Sequence, residues 1–280
     1  MKSLHDDLAF FARLINALRP WLGQVVIAGG WAQRLHRVHP LARALEYPPL
    51  LTRDADVALD PAAAPHGDEI RTSLETAGFT GEFLGENRQP PITQYRLGDR
   101  SSTSYAEFLV PLVGSGIRRN GQPDTTVSVG GVSAQKLRHL DVLLLVPWSI
   151  TLTPSSAVPV SPPATVRMPN PVTYIVQKLL IHGRRKTTDE QAKDLLYIHD
   201  TLQTFGGALP ELNAIWRADV KPHFHKNQIR EVSQVITATL GSLTDTVRQA
   251  VVEARGAGRE LSSDQLAETC RLGLGRILAD

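Results

Sequence analysis

The stretch from Val25 to Asp60 reads V-V-I-A-G-G-W-A-Q-R-L-H-R-V-H-P, then a proline-rich bend, then L-L-T-R-D-A-D-V-A-L-D. Val25, Val26 and Ile27 form a short β-branched run of the kind that makes a buried strand. Gly29-Gly30 then turns the chain into a helix beginning near Trp31, and backbone N–H groups at such a turn can approach a phosphate. Leu50 to Leu59 reads as a second strand. There Asp54 and Asp56 alternate with Ala55 and Val57, so both carboxylates project from one face. Two such carboxylates repel each other unless a cation lies between them. A hard divalent ion such as Mg2+, held by one or two carboxylates and by substrate phosphates, is the natural occupant. Taken singly, the glycines also read as a plain turn and the aspartates as the solvated face of an edge strand.

The order strand, Gly-Gly, helix, then a strand with Asp-x-Asp resembles the nucleotidyltransferase fold of the DNA polymerase beta superfamily. The likeness is closest to bacterial families of uncharacterised nucleotidyltransferases and abortive-infection toxins, whose second strand carries T-R-D-x-D, here Thr52 to Asp56. The resemblance implies that Gly29 and Gly30 hold the triphosphate of an NTP. It also implies that Asp54 and Asp56 hold two Mg2+ ions, with Mn2+ as an alternative. Two departures stand out: the usual Gly-Ser is Gly29-Gly30, and the gap from Gly30 to Asp54 exceeds the minimal motif.

A third acid lies in S-Y-A-E-F-L-V-P-L, where Glu107 interrupts a dense apolar run. Burying an unpaired carboxylate is costly, so Glu107 either meets a partner or points into the site beside Asp54 and Asp56. The resemblance implies the second role: a third carboxylate from a neighbouring strand that completes the metal site or takes the proton of the attacking hydroxyl.

From Pro169 onward the sequence is helical. P-N-P-V-T-Y-I-V-Q-K-L-L-I-H carries an Asn170 cap, Pro171 at the first helical position and an apolar stripe that leaves out Lys178. Arg184, Arg185 and Lys186 follow, and a second helix then begins near Thr188 with Lys193-Asp194 within it. The plain reading is a set of turn-level and i,i+4 salt bridges on a solvated helix end. The same families resemble this segment too, which implies nucleotide-phosphate contacts from Lys178 and Arg184 or Arg185, with Asp194 orienting the lysine or holding substrate. The likeness extends over residues 22 to 202.

With 280 residues, 42% hydrophobic and 21% charged, the chain is an ordinary globular protein with a proper core. No apolar run nears the roughly 18 residues that span a bilayer, and Asp6, Asp7 and Arg13 break the first helix as no signal peptide does, which points to the cytoplasm. The single Cys270 excludes an internal disulfide. Arg34 and Arg37 read as surface charge, and His223-x-His225 as a solvated loop in preference to a zinc site. Pro61 to Gly67 and Gly85 to Pro91 read as connections, and Thr153 to Pro163, rich in Pro and Ser, as a linker or a surface excursion.

The expectation is therefore an α+β protein: residues 1–163 a nucleotidyltransferase-fold mixed β-sheet with flanking helices, and 164–280 a helical substrate-binding domain. It would move NMP from an NTP to an acceptor hydroxyl. The basic group from Lys178 to Lys193 favours an RNA 3′ end, plausibly tRNA, over a protein or small-molecule acceptor. The toxin resemblance adds a cognate antitoxin as a partner. The rival is a catalytically silent nucleotide-binding or interaction module of the same fold, which the missing motif serine supports.

Overall fold

The computed structural model describes residues 4–60, 69–85, 91–98 and 103–280. The connection over Pro61 to Gly67 and most of the turn over Gly85 to Pro91 lie outside the described residues. In chain order the elements are α1 (Leu4–Ala17), β1 (Val25–Ile27), α2 (Gly29–His36), β2 (Asp54–Leu59), α3 (Ile70–Thr76), β3 (Phe79–Leu84), β4 (Ile92–Leu97) and β5 (Tyr105–Pro111). There follow β6 (Thr126–Val129), β7 (Val132–Leu137), β8 (Trp148–Leu152), β9 (Ala164–Met168), α4 (Pro171–His182) and α5 (Thr188–Thr204). The chain closes with α6 (Leu209–Ile215), α7 (Lys226–Leu240), α8 (Asp245–Gly256) and α9 (Ser263–Ile277). Among the described residues, no helix is long and apolar enough to cross a membrane.

The chain divides into two compact units: Met1–Val38 with Leu51–Pro169, and His39–Leu50 with Asn170–Asp280. The first is built on a mixed sheet in the order β1-β2-β5-β4-β3, with β7 pairing β5 and β6 pairing β7. β2 and β5 run parallel, as do β5 and β7; the other pairs are antiparallel.

Period-2 alternation gives this sheet two unlike faces. Ala55, Val57 and Leu59 of β2 and Ala106, Phe108 and Val110 of β5 enter the main core, where α1 supplies Phe11, Leu14 and Ile15 and α2 supplies Trp31 and Leu35. The Phe11 and Trp31 rings stack at 3.9 Å. The opposite face carries Asp54 and Asp56 of β2 and Glu107 of β5. Its apolar part is a small cluster of Val26, Ala28, Ala58, Leu109, Leu140 and Leu143.

The boundary read at Pro163 lies elsewhere. β9 begins at Ala164 and pairs antiparallel with β8, so of the two readings of the Pro/Ser-rich segment it is the excursion that holds: the segment connects a hairpin and does not link domains. Those two strands form their own sheet and do not extend the first. The division falls after Pro169, and His39–Leu50, between the glycine turn and the acidic strand, belongs with the helical unit.

In that unit Asn170 caps α4 by accepting from the Thr173 N–H, and Thr187 forms a capping box with Glu190 at the start of α5. The His39–Leu50 segment is tied down by a buried ion pair. The Arg259 guanidinium donates to both Asp200 oxygens at 3.0 and 3.1 Å and to the Pro48 carbonyl at 2.8 Å, while the Tyr47 hydroxyl donates to Asp200 at 3.1 Å.

Candidate active site

Asp54 and Asp56 are two residues apart on β2, and Asp56 is the register partner of Glu107 on β5, so the three carboxylates share one face. The row continues across the sheet: Glu107 pairs with Gln94 of β4, and Gln94 with Glu82 of β3. Each acid leans on a local donor or surface. The Thr52 hydroxyl donates to Asp54 Oδ1 at 2.5 Å, and the Gln94 amide donates to Glu107 Oε1 at 2.8 Å.

Asp56 lies against Gly29. A Cβ at position 29 would overlap the Asp56 carboxylate, and Gly29 has φ of +58°, in the left-handed region that favours glycine. Its neighbour Ala28 donates its N–H to the Asp56 carbonyl at 2.8 Å, so the turn is stitched to the acidic strand. Ala28 at the N-cap makes no side-chain cap, and the first turn of α2 holds no acid of its own, so the acid at this helix start is Asp56 of β2, packed against Gly29.

The donor set suits a hard divalent ion in kind and in backbone placement. Among the described residues, however, no three carboxylate, imidazole or thiol groups converge into a metal-binding cluster as the side chains stand. Asp54, Asp56 and Glu107, on one face of β2 and β5, are the residues that would hold Mg2+.

The second predicted group, Lys178, Arg184 and Asp194, lies in the helical unit. Lys178 Nζ meets Asp194 Oδ1 at 2.8 Å, and both side chains are buried. Arg185, not Arg184, completes the cluster, its fork donating to Asp194 at 2.6 and 3.0 Å. Lys178 also stands over the Tyr197 ring at 5.0 Å. Burial alone would raise the Asp194 pKa, but the Lys178 charge and the Arg185 hydrogen bond and charge outweigh it and hold the carboxyl below its usual range. Arg184 and Lys186 are exposed on the turn.

One further expectation changes, at Arg34, while His223 and His225 are exposed as the solvated-loop reading has them. Arg34 is buried, 3.6 Å from Asp7 and 4.6 Å above the Trp31 ring, because the α2 face that meets α1 leaves it no route to solvent. His225 caps α7, accepting from the Asn227 N–H at 3.2 Å. Gln94 was not legible beforehand. In I-T-Q-Y-R it shares a face with Ile92 and Arg96, and nothing local says that this face meets an acid on another strand.

A mixed sheet built on a strand, glycine turn and helix, followed by a helical unit, is an α+β architecture of the nucleotidyltransferase kind. The chain belongs to the family described as Nucleotidyltransferase, whose model matches residues 7–220. A solved structure similar to it is that of an antigenic nucleotidyltransferase-like protein from Paracoccidioides brasiliensis, 19% identical over 92% of this chain and 96% of that one, with a TM-score of 0.44. No curated protein matches the sequence.

Proposed function

We propose that the chain moves a nucleoside monophosphate from an NTP to an acceptor hydroxyl and releases pyrophosphate. The observation that carries the reading is the juxtaposition of Asp54, Asp56 and Glu107 on one sheet face with the Gly29 turn packed against Asp56. Such a face gathers negative charge that only a cation relieves, beside a helix N-terminus that favours an anion; a metal–triphosphate complex supplies both. Mg2+, when bound, would neutralise the triphosphate and polarise the α-phosphoryl group. The Gly29–Gly30 turn would orient the phosphates through its backbone, and Glu107 would take the proton of the attacking hydroxyl.

For the acceptor we favour an RNA 3′ hydroxyl. Arg184 and Lys186 are the exposed cations of the α4–α5 turn and would meet backbone phosphates. Lys178 and Arg185, both paired with Asp194, would act by shaping that turn. The likeness to abortive-infection toxins adds a cognate antitoxin protein to the proposed partners.

The silent-module reading rests on Gly30 in place of a hydroxyl residue and on carboxylates turned onto neighbours. Thermal-shift titration with each NTP, with and without Mg2+, separates the two, because stabilisation scales with ligand concentration over Kd. Incubation with radiolabelled NTP and total RNA, then with cell protein, tests transfer. Label entering RNA and falling steeply as salt rises is expected. Label confined to protein overturns the RNA assignment, and no NTP consumption under any condition overturns transfer.

A further inference from the structure

We propose that Gln94 is a positioning residue for Glu107, and that Arg96 determines which way round the Gln94 amide sits; this rests on the transfer reading above. Glu82, Gln94, Glu107 and Asp56 occupy one register row across four adjacent strands, β3, β4, β5 and β2. Register partners on neighbouring strands carry their side chains on the same face of the sheet. Glu107 therefore has an acid on one side and an amide on the other. Gln94 is 3% exposed and Glu107 7%, so neither can trade this contact for water without cost.

An amide can present either end, and the chemistry of its other neighbour decides which. Arg96 donates through Nη2 to the Gln94 side-chain oxygen and through Nε to Glu82 Oε2 at 3.1 Å, and its guanidinium lies 5.0 Å from the Tyr105 ring. Arginine has donors and no acceptor, so the Gln94 atom it meets is the oxygen. The NH2 end must then face Glu107, at 2.8 Å. That end only donates, and it fixes one of the Glu107 oxygens. A carboxylate has about four lone-pair directions, so one amide bond leaves it able to ligate a cation. The chain Glu82–Arg96–Gln94–Glu107 is thus a support for the third acid, anchored on the edge strand.

The test compares wild type with Gln94→Met, Arg96→Met and Arg96→Lys, each also in a Glu107→Gln background. Mn2+ affinity of the nucleotide-free protein is read by electron paramagnetic resonance, with kcat, KM and the urea midpoint alongside. Loss of a partner in the shell behind a metal ligand weakens metal binding by about 10–100-fold. Gln94→Met, similar in shape but without the donor, is expected to weaken Mn2+ by about tenfold or more and to lower kcat with little change in the KM for NTP. Arg96→Met should do the same to a lesser degree, and Arg96→Lys, which keeps a donor for the Gln94 oxygen, should recover most of it. In the Glu107→Gln background the Gln94 effect should vanish, since it acts through Glu107. Gln94→Met equal to wild type in Mn2+ affinity and kcat, or an undiminished effect without Glu107, overturns the inference alone. A wild type that binds no Mn2+ and consumes no NTP overturns the transfer reading and this inference with it.

Discussion

At Gly29 two demands meet: the backbone needs a left-handed φ, and the Asp56 carboxylate occupies the space of any Cβ. Gly29→Ala should therefore cost about 1–2 kcal/mol from the backbone and displace Asp56 as well. A lower melting temperature together with loss of the NTP-dependent thermal shift is the expected result. Asp54 and Asp56 behave oppositely. Removing one of several carboxylates on a single face relieves repulsion, so Asp56→Asn should melt at the same or a higher temperature without metal. Its transfer rate should fall by about a hundredfold or more. Wild-type turnover in Asp56→Asn would place the metal elsewhere.

The α4–α5 pair stores its charge in the interior. Asp194 balances Lys178 and Arg185 together, so Asp194→Asn leaves a buried lysine without its counter-ion and should destabilise by about 3–5 kcal/mol. Lys178→Met with Asp194→Leu should cost much less than the two single changes summed, a coupling above about 0.5 kcal/mol in a urea-unfolding cycle. Strict additivity would mean that the two side chains do not interact in solution.

The same element predicts a pH dependence. Burial lowers the His182 pKa below its ordinary 6.5, against a smaller opposing pull from Asp194. A depressed pKa means that the stability is complete above pH 6.5 and is lost as pH falls through the lowered folded value; Asp194, also depressed, adds a further loss below its ordinary 3.8. Urea midpoints should fall between about pH 7 and about pH 5, and His182→Gln should flatten that decline.

At the scale of the molecule, the helical unit is not a contiguous piece of chain. It takes His39–Leu50 from between the glycine turn and the acidic strand, and Asp200 and Arg259 grip Tyr47 and Pro48 there. Residues 170–280 expressed alone should thus leave the Asp200–Arg259 pair short of its partners and fold loosely. Near-UV circular dichroism should show weak tertiary signal, restored by a peptide of residues 39–50. A fully native signal from the fragment alone would show that the excursion is dispensable. The longer gap from Gly30 to Asp54, a departure from the minimal motif, has its physical account in this excursion: the extra residues serve the second unit.

Sequence alone determined the elements whose cause is local. β-branched Val25 to Ile27, the Gly29-Gly30 turn, the alternation around Asp54 and Asp56, and the Asn170 cap depend on neighbours a few residues away, and each is legible from periodicity and capping chemistry. The family and the α+β class followed from their order. Tertiary structure alone decided what depends on pairing across the chain. Register sets Glu107 beside both Asp56 and Gln94, hairpin pairing turns the Pro/Ser stretch into the link between β8 and β9, and the choice of Arg185 over Arg184 rests on which guanidinium reaches Asp194. Such contacts join residues of large sequence separation, or discriminate between neighbours by direction. A one-dimensional pattern records which residue types are present and how they alternate, but not which strand lies alongside.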